Sequence, residues 1–151
     1  MLKRHEVLFN QLKTYREELL AVVNDVSEEA AEIIPKGFHN NIRWNLGHVY
    51  LDQYLWIKVL TKEDLYPESM EKWFGFGTSP SNFDDEAPTF EELKTLLKQQ
   101  PDAIKDSFGE RLEEEYPPAE MGMSTIEQVL IRTIFHEGMH TQAIMDIKKF
   151  I

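Results

Sequence analysis

Between residues 2 and 26 the apolar positions recur at helical spacing. Leu2, His5, Phe9, Leu12, Leu19, Val23 and Val26 fall near one stripe, and Leu8, Tyr15, Leu20 and Val22 widen it. Lys3, Glu6, Lys13, Glu17 and Asn24 take the opposite side, and neither Gly nor Pro interrupts the run. The pattern predicts a long helix. Ser27-Glu28-Glu29-Ala30 predicts a short capped turn that ends before the break at Pro35-Lys36-Gly37. Asn40 or Asn41 is placed to cap a second long helix over residues 42–60. There Ile42, Trp44, Leu46, Val49, Leu51, Leu55, Trp56, Ile57, Val59 and Leu60 spread around much of the circumference. Such a helix is buried on more than one side.

Residues 61–88 break the periodicity. Pro67, Gly75, Gly77, Pro80 and Pro88 punctuate a long connection that still carries Tyr66, Met70, Trp73, Phe74, Phe76 and Phe83. Connections this long inside a domain are functional or disordered. So many aromatics predict a segment folded over the body of the protein, either as packing or as the wall or lid of a pocket. Thr89-Phe90-Glu91-Glu92 has the form of a capping box, opening a third helix through Leu93, Leu96, Leu97, Ile104 and Phe108 to Gly109. Pro101 lies inside it, where it is expected to kink or split the helix. A second box, Ser124-Thr125-Ile126-Glu127, opens the last helix, with Ile126, Val129, Leu130, Thr133, Ala143, Ile144 and Ile147 on its core face. With no strand pattern in competition, the chain reads as one all-α domain over residues 1–151. The architecture expected is a four-helix bundle with a long crossover between helices 2 and 3.

Composition narrows the chemistry. The chain of 151 residues has 27 Asp and Glu against 16 Lys and Arg, a formal net charge of −11. A surface so acidic repels phosphate backbones and anionic membranes, so neither nucleic acid nor a membrane is an expected partner. Cysteine is absent, which excludes disulfides, thiolate nucleophiles and cysteine-ligated metals. Any thiol chemistry must use a thiol carried in by a small molecule. No apolar leader follows Met1-Leu2-Lys3-Arg4-His5-Glu6, and no run approaches a bilayer span, so the cytoplasm is the expected location.

The polar residues on the core stripes are the informative ones. His136 and His140 stand four apart in His136-Glu137-Gly138-Met139-His140, on one face of the last helix and in phase with Thr133, Leu130 and Ile144. Two imidazoles so placed can converge on one divalent ion. The pattern also fits a zinc-protease helix, but no third histidine follows His140 and Asp146 lies on the far side. The better third ligand is His48, in phase with Trp44, Leu51 and Leu55 on the second helix. Gly47 beside it allows close approach of another helix or a ligand. Three neutral imidazoles would leave an ion with open positions, the catalytic type of site. The alternative is three core histidines hydrogen-bonded to carbonyls. His5 reads as structural, and His39, in a glycine-containing loop, as solvated.

Ile42-Arg43-Trp44-Asn45-Leu46-Gly47-His48, together with His136-x-x-x-His140 and the following Thr141-Gln142-Ala143-Ile144, resembles the DinB/YfiT-like superfamily of metalloenzymes. The resemblance extends over nearly the whole chain. It implies an up-down-down-up order of the four helices and a metal, zinc or nickel, held by His48, His136 and His140. It also implies a homodimer acting on a small-molecule substrate. Relatives include transferases and an isomerase that use low-molecular-weight thiols such as bacillithiol, mycothiol or glutathione.

A three-histidine ion can lower the pKa of water or hold a thiol as thiolate. Transfer of a small thiol to an electrophile is the function expected; a metal-dependent hydrolase and a non-catalytic binding bundle are the alternatives. Glu137, about 100° around the helix from His136, is a candidate catalytic base. It reads equally as a partner of an imidazole N–H or as a surface carboxylate, and both rank ahead of the base. Asn45 and Asp52 flank His48 as possible partners of the imidazoles, and Arg43 and Arg132 can meet an anionic substrate.

Overall fold

The computed structural model describes residues 1–151. It is all-helical: α1 (Lys3–Val22), α2 (Glu28–Ala31), α3 (Ile42–Thr61), α4 (Ser69–Phe74), α5 (Phe90–Phe108) and α6 (Ile126–Lys148). Short 3₁₀ turns lie at Pro80–Asn82 and Glu120–Gly122. Side chains fix most of the starts. Asn41 accepts from the Trp44 amide, and Ser27 accepts from Ala30. Thr89 and Glu92 cap each other's backbone reciprocally. At α6 the box is displaced by one residue from the sequence expectation: Thr125 pairs with Gln128, not Ser124 with Glu127. Glu127 is thereby released for other contacts.

The four long helices pack in a ring, α1 against α5 and α6, and α3 against α5 and α6. Their ends meet as follows. Arg4 reaches Glu127 at the start of α6, and Lys148 reaches the Val22 carbonyl at the end of α1. Lys13 of α1 meets Asp102 late in α5. Gln53 of α3 donates to Thr133 and Asn45 meets His140, so α3 and α6 run in opposite senses.

Two apolar clusters fill the ring. One gathers Leu19, Leu46, Leu51, Phe74, Phe90, Leu97 and Ile144; the other Phe9, Leu12, Ile57, Ile104, Phe108, Val129 and Leu130. Between their positions on the long helices lie buried polar residues, among them Arg16, Gln53, Gln100, Thr133 and Glu137. The fully buried Arg16 guanidinium donates to both carboxylate oxygens of Glu137 (2.6 and 3.4 Å), to Gln100 (3.0 Å) and to Gln53 (3.2 Å).

Arg16 also accounts for the behaviour of Pro101. α5 runs through this proline without dividing, contrary to the split allowed by the sequence. Proline has no N–H for the carbonyl four residues back, here Leu97. The Arg16 Nη1 donates to that carbonyl at 2.7 Å, so the group that Pro101 orphans is satisfied from α1.

The 61–88 crossover folds back on α3. Its α4 buries Met70, Trp73 and Phe74, and Phe74 seats on Gly47. Arg43 ties the far end of the crossover by donating to the carbonyls of Pro88 (2.9 Å) and Ala87 (3.0 Å), so it serves the fold.

Candidate metal centre

α3 and α6 bring His48, His136 and His140 together. Ring centroids lie 4.4–4.9 Å apart, and one ring nitrogen from each falls within 4.8 Å of the others. His48 and His136 are buried and His140 is half-buried.

Each ring turns its Nδ1 toward an oxygen. His48 Nδ1–H donates to the Phe74 carbonyl at 2.6 Å. His136 Nδ1 faces the Asp52 carboxylate, with Oδ2 3.0 Å away. His140 Nδ1–H donates to Asn45 Oδ1 at 2.8 Å. The Asn45 amide cannot be reversed, because its Nδ2 already donates to Asn40 Oδ1 (2.9 Å) and the Asn41 carbonyl (2.8 Å). Three Nδ1–H tautomers leave three Nε2 lone pairs bare. The Nε2 atoms of His48 and His136 face each other at 3.1 Å. Lone pairs at that separation repel unless a positive charge lies between them. Ligands at about 2.0–2.1 Å from one ion stand roughly 3.0–3.4 Å apart, so the donor set fits a divalent metal.

Electrostatics favour the neutral forms of His48 and His140. Burial, and then the neighbouring imidazoles, push His140 down to about 3. Burial likewise lowers His48, against the raising effect of its Phe74 hydrogen bond. Asp52 is shared, accepting also from Arg132 (3.0 Å) and the Trp56 indole (3.2 Å). Trp44 stacks on His48 at 4.7 Å and donates to Thr78, which fastens the Gly75–Thr78 turn beside the site.

A cleft of about 730 Å³ opens onto the three imidazoles, within the size range of small-molecule sites. Trp44, Leu51, Leu55 and Trp56 form its apolar wall, Arg132 and Asp52 its polar one, and Phe76 and Met139 its rim. Phe76, between two glycines, is 98% exposed. The crossover is therefore both packing and cleft wall.

A family model of the DinB superfamily matches residues 11–144. The chain belongs to the DinB superfamily. A search of the curated proteins gives no match.

The DinB chain places its other sequence candidates unevenly about this centre. Glu137 is buried and held by Arg16, on the side facing α1 rather than the imidazoles, so its surroundings match none of the base, imidazole-partner and surface readings. Asn45 and Asp52 do orient imidazoles, and Arg132 lies in the cleft. His39 is exposed. Two participants were missed. The Phe74 carbonyl leaves no trace in sequence, because any residue there supplies one. Arg16 did leave a trace: a cation at core phase between Leu12 and Leu19.

Proposed function

We propose that this DinB-superfamily chain is a metal-dependent enzyme whose divalent ion, zinc or nickel, is held by His48, His136 and His140. Its reaction is the transfer of a low-molecular-weight thiol to an electrophilic small molecule. The observation that carries the metal is the convergence of one ring nitrogen from each histidine within 4.8 Å, with Nδ1 of His48 and His140 hydrogen-bonded to oxygens and Nδ1 of His136 facing Asp52. A divalent ion bound there supplies Lewis acidity, making a thiol or a water easier to deprotonate.

The chain's own residues supply orientation and exclusion of water. Phe74, Asp52 and Asn45 fix the three rings, and such partners hold a ligand's tautomer and direction. Trp44, Trp56, Leu51 and Leu55 give an apolar wall for the body of a substrate. Arg132, stacked over Trp56 at 4.2 Å, offers a positive edge to an anionic group.

Thiol is favoured over water by the carboxylates. Asp52 is committed three times over, and Glu137 is locked to Arg16. Glu120 is the remaining carboxylate of the cleft and lies on its exposed side. A thiol, with an ordinary pKa near 8.5, has far less need of a separate base than water.

The ring of contacts and the ends that meet support an up-down-down-up order: α1 and α6 one way, α3 and α5 the other. A second copy of the chain is part of the proposal. Ile131, Phe135 and Met139, four apart on α6, form an exposed apolar stripe suited to a homodimer. No helix is long and apolar enough to cross a membrane, and the proposed setting is the cytoplasm.

The test is elemental analysis of the purified protein with turnover of an electrophile, such as a chlorinated dinitrobenzene, in the presence of small thiols. Stoichiometric metal, lost in His48→Ala, with thiol-dependent turnover is expected. A protein that carries no metal and takes up none sinks the proposal. Metal with turnover that ignores thiol shifts it to hydrolysis.

A further inference from the structure

At the opposite end of α6 from His140, three segments meet. The first turn of α1 brings His5, the connector after α5 brings Glu113, and the first turn of α6 brings Glu127. One ligand atom from each lies within 4.8 Å of the other two. We propose that these three residues form a second divalent transition-metal site, independent of the three-histidine centre, that fastens the three segments together.

The deciding observation is His5. It is only 4% exposed, and its Nε2 is buried without a hydrogen-bond partner. A buried ring nitrogen left unpaired is costly and uncommon. This one faces Glu127, whose Oε2 lies 3.5 Å away without forming a hydrogen bond, a separation suited to a shared ion. His5 also lines a depression of about 280 Å³ with Glu110, Glu113 and Glu114.

The two carboxylates repel each other, and one cation now holds them. The Arg4 guanidinium donates to Glu127 at 2.9 and 3.3 Å and also to Glu113. One guanidinium leaves the pair with a net negative charge, whereas a divalent ion neutralises both. Arg4 is about half-exposed, so it can swing into water when an ion arrives. Its guanidinium thus occupies the place of the cation and competes with it. The Glu127 amide donates to the Leu112 carbonyl at 3.1 Å, which already holds connector and helix in register.

One imidazole and two carboxylates suit Zn²⁺ or Mn²⁺. The nitrogen disfavours Mg²⁺ and Ca²⁺, and the absence of sulfur disfavours Cu⁺. The displacement of the α6 capping box matters here. Because Gln128 caps the helix, the Glu127 carboxylate is free to face His5.

The experiment is calorimetric titration of the chelator-stripped full chain with Zn²⁺ alone, beside single variants. The wild type should bind two equivalents. His5→Gln and Glu113→Gln should each lose one and keep the other; Glu113 is half-exposed, so its variant folds even if His5→Gln does not. Arg4→Gln should tighten the site by about tenfold, which is ~1.4 kcal/mol. A wild type without an equivalent that depends on Glu113 overturns the site, and so does an equivalent that survives Glu113→Gln undiminished. Unchanged or weaker binding in Arg4→Gln overturns the competition. The His48→Ala variant should keep the His5 equivalent, so failure of the three-histidine centre is read separately.

Discussion

The ring of Phe74 lies against Gly47 with no room between them: a β-carbon at position 47 would sit 2.1 Å from the Phe74 Cδ1. Phe74 is also the residue whose carbonyl holds the His48 imidazole, one position further along α3. A packing contact and a ligand-orienting hydrogen bond therefore share one residue of the crossover. Gly47→Ala must push Phe74 outward. Overpacking of this kind costs about 1–3 kcal/mol. The variant should melt lower and bind metal more weakly, in the same sample, by thermal unfolding and metal titration. Wild-type metal affinity in a destabilised protein would show that the carbonyl is dispensable.

The hydrogen-bond partners of the other two imidazoles are open to the same test without touching a ligand. Asn45→Ala removes the only side-chain acceptor of His140, and Asp52→Ala removes the carboxylate that faces His136 Nδ1. Loss of such a partner weakens metal binding by about 10–100-fold. Competition with a chelating indicator measures it. The expectation fails if both variants bind as tightly as the parent.

Arg16 and Glu137 form a buried ion pair outside the lining of the cleft, with side chains 2% and 5% exposed. Removing one partner of such a pair costs ~3–5 kcal/mol. Glu137→Gln should thus lower stability in urea while its folded fraction keeps the metal stoichiometry of the parent. Arg16→Met should be at least as damaging, since it also orphans the Leu97 carbonyl. A double variant, Arg16→Met with Glu137→Leu, should recover part of the loss. A Glu137→Gln protein of full stability that loses turnover alone would return Glu137 to the chemistry.

Alkaline pH tests a different part of the fold. Burial pushes the phenols of Tyr50 and Tyr66 up to about 12. The unfolded chain releases these protons near pH 10, whereas the folded chain retains them. Between about 10 and 12 the native state binds more protons, so stability falls as pH rises through that window. Unfolding free energies at a series of pH values should decline there. Tyr50→Phe should make the decline shallower; an identical slope would contradict the assignment.

The two histidine-bearing stripes were legible because helical phase is a local property. Residues four apart share a face whatever surrounds them, so His136 and His140 were paired before any packing was known. His48 was legible for a related reason: a polar ring in phase with Trp44 and Leu51 requires a partner in the core. Helix starts were nearly as clear, although Thr125 and Gln128 took the capping role that Ser124 and Glu127 resembled. A one-residue shift leaves a similar pattern of polar groups, and the backbone chooses between them.

Pro101 shows where sequence ran out. Its missing N–H was certain, but whether α5 would break depended on a donor 85 residues earlier in the chain, Arg16. The partner of Glu137 was hidden for the same reason. The position of Glu137 on the helix was known, while the identity of its neighbour across the ring was not.

By itself, then, the sequence determined four long helices, the acidic surface, the absence of any native thiol and the three imidazoles facing inward. Those follow from periodicity and residue type, which act over a few residues. Tertiary structure decided which oxygen holds each Nδ1, that Arg16 seals the gap at Pro101, and that His5 meets two carboxylates. Such contacts join residues tens of positions apart, and only the packing of whole helices brings them within hydrogen-bond range.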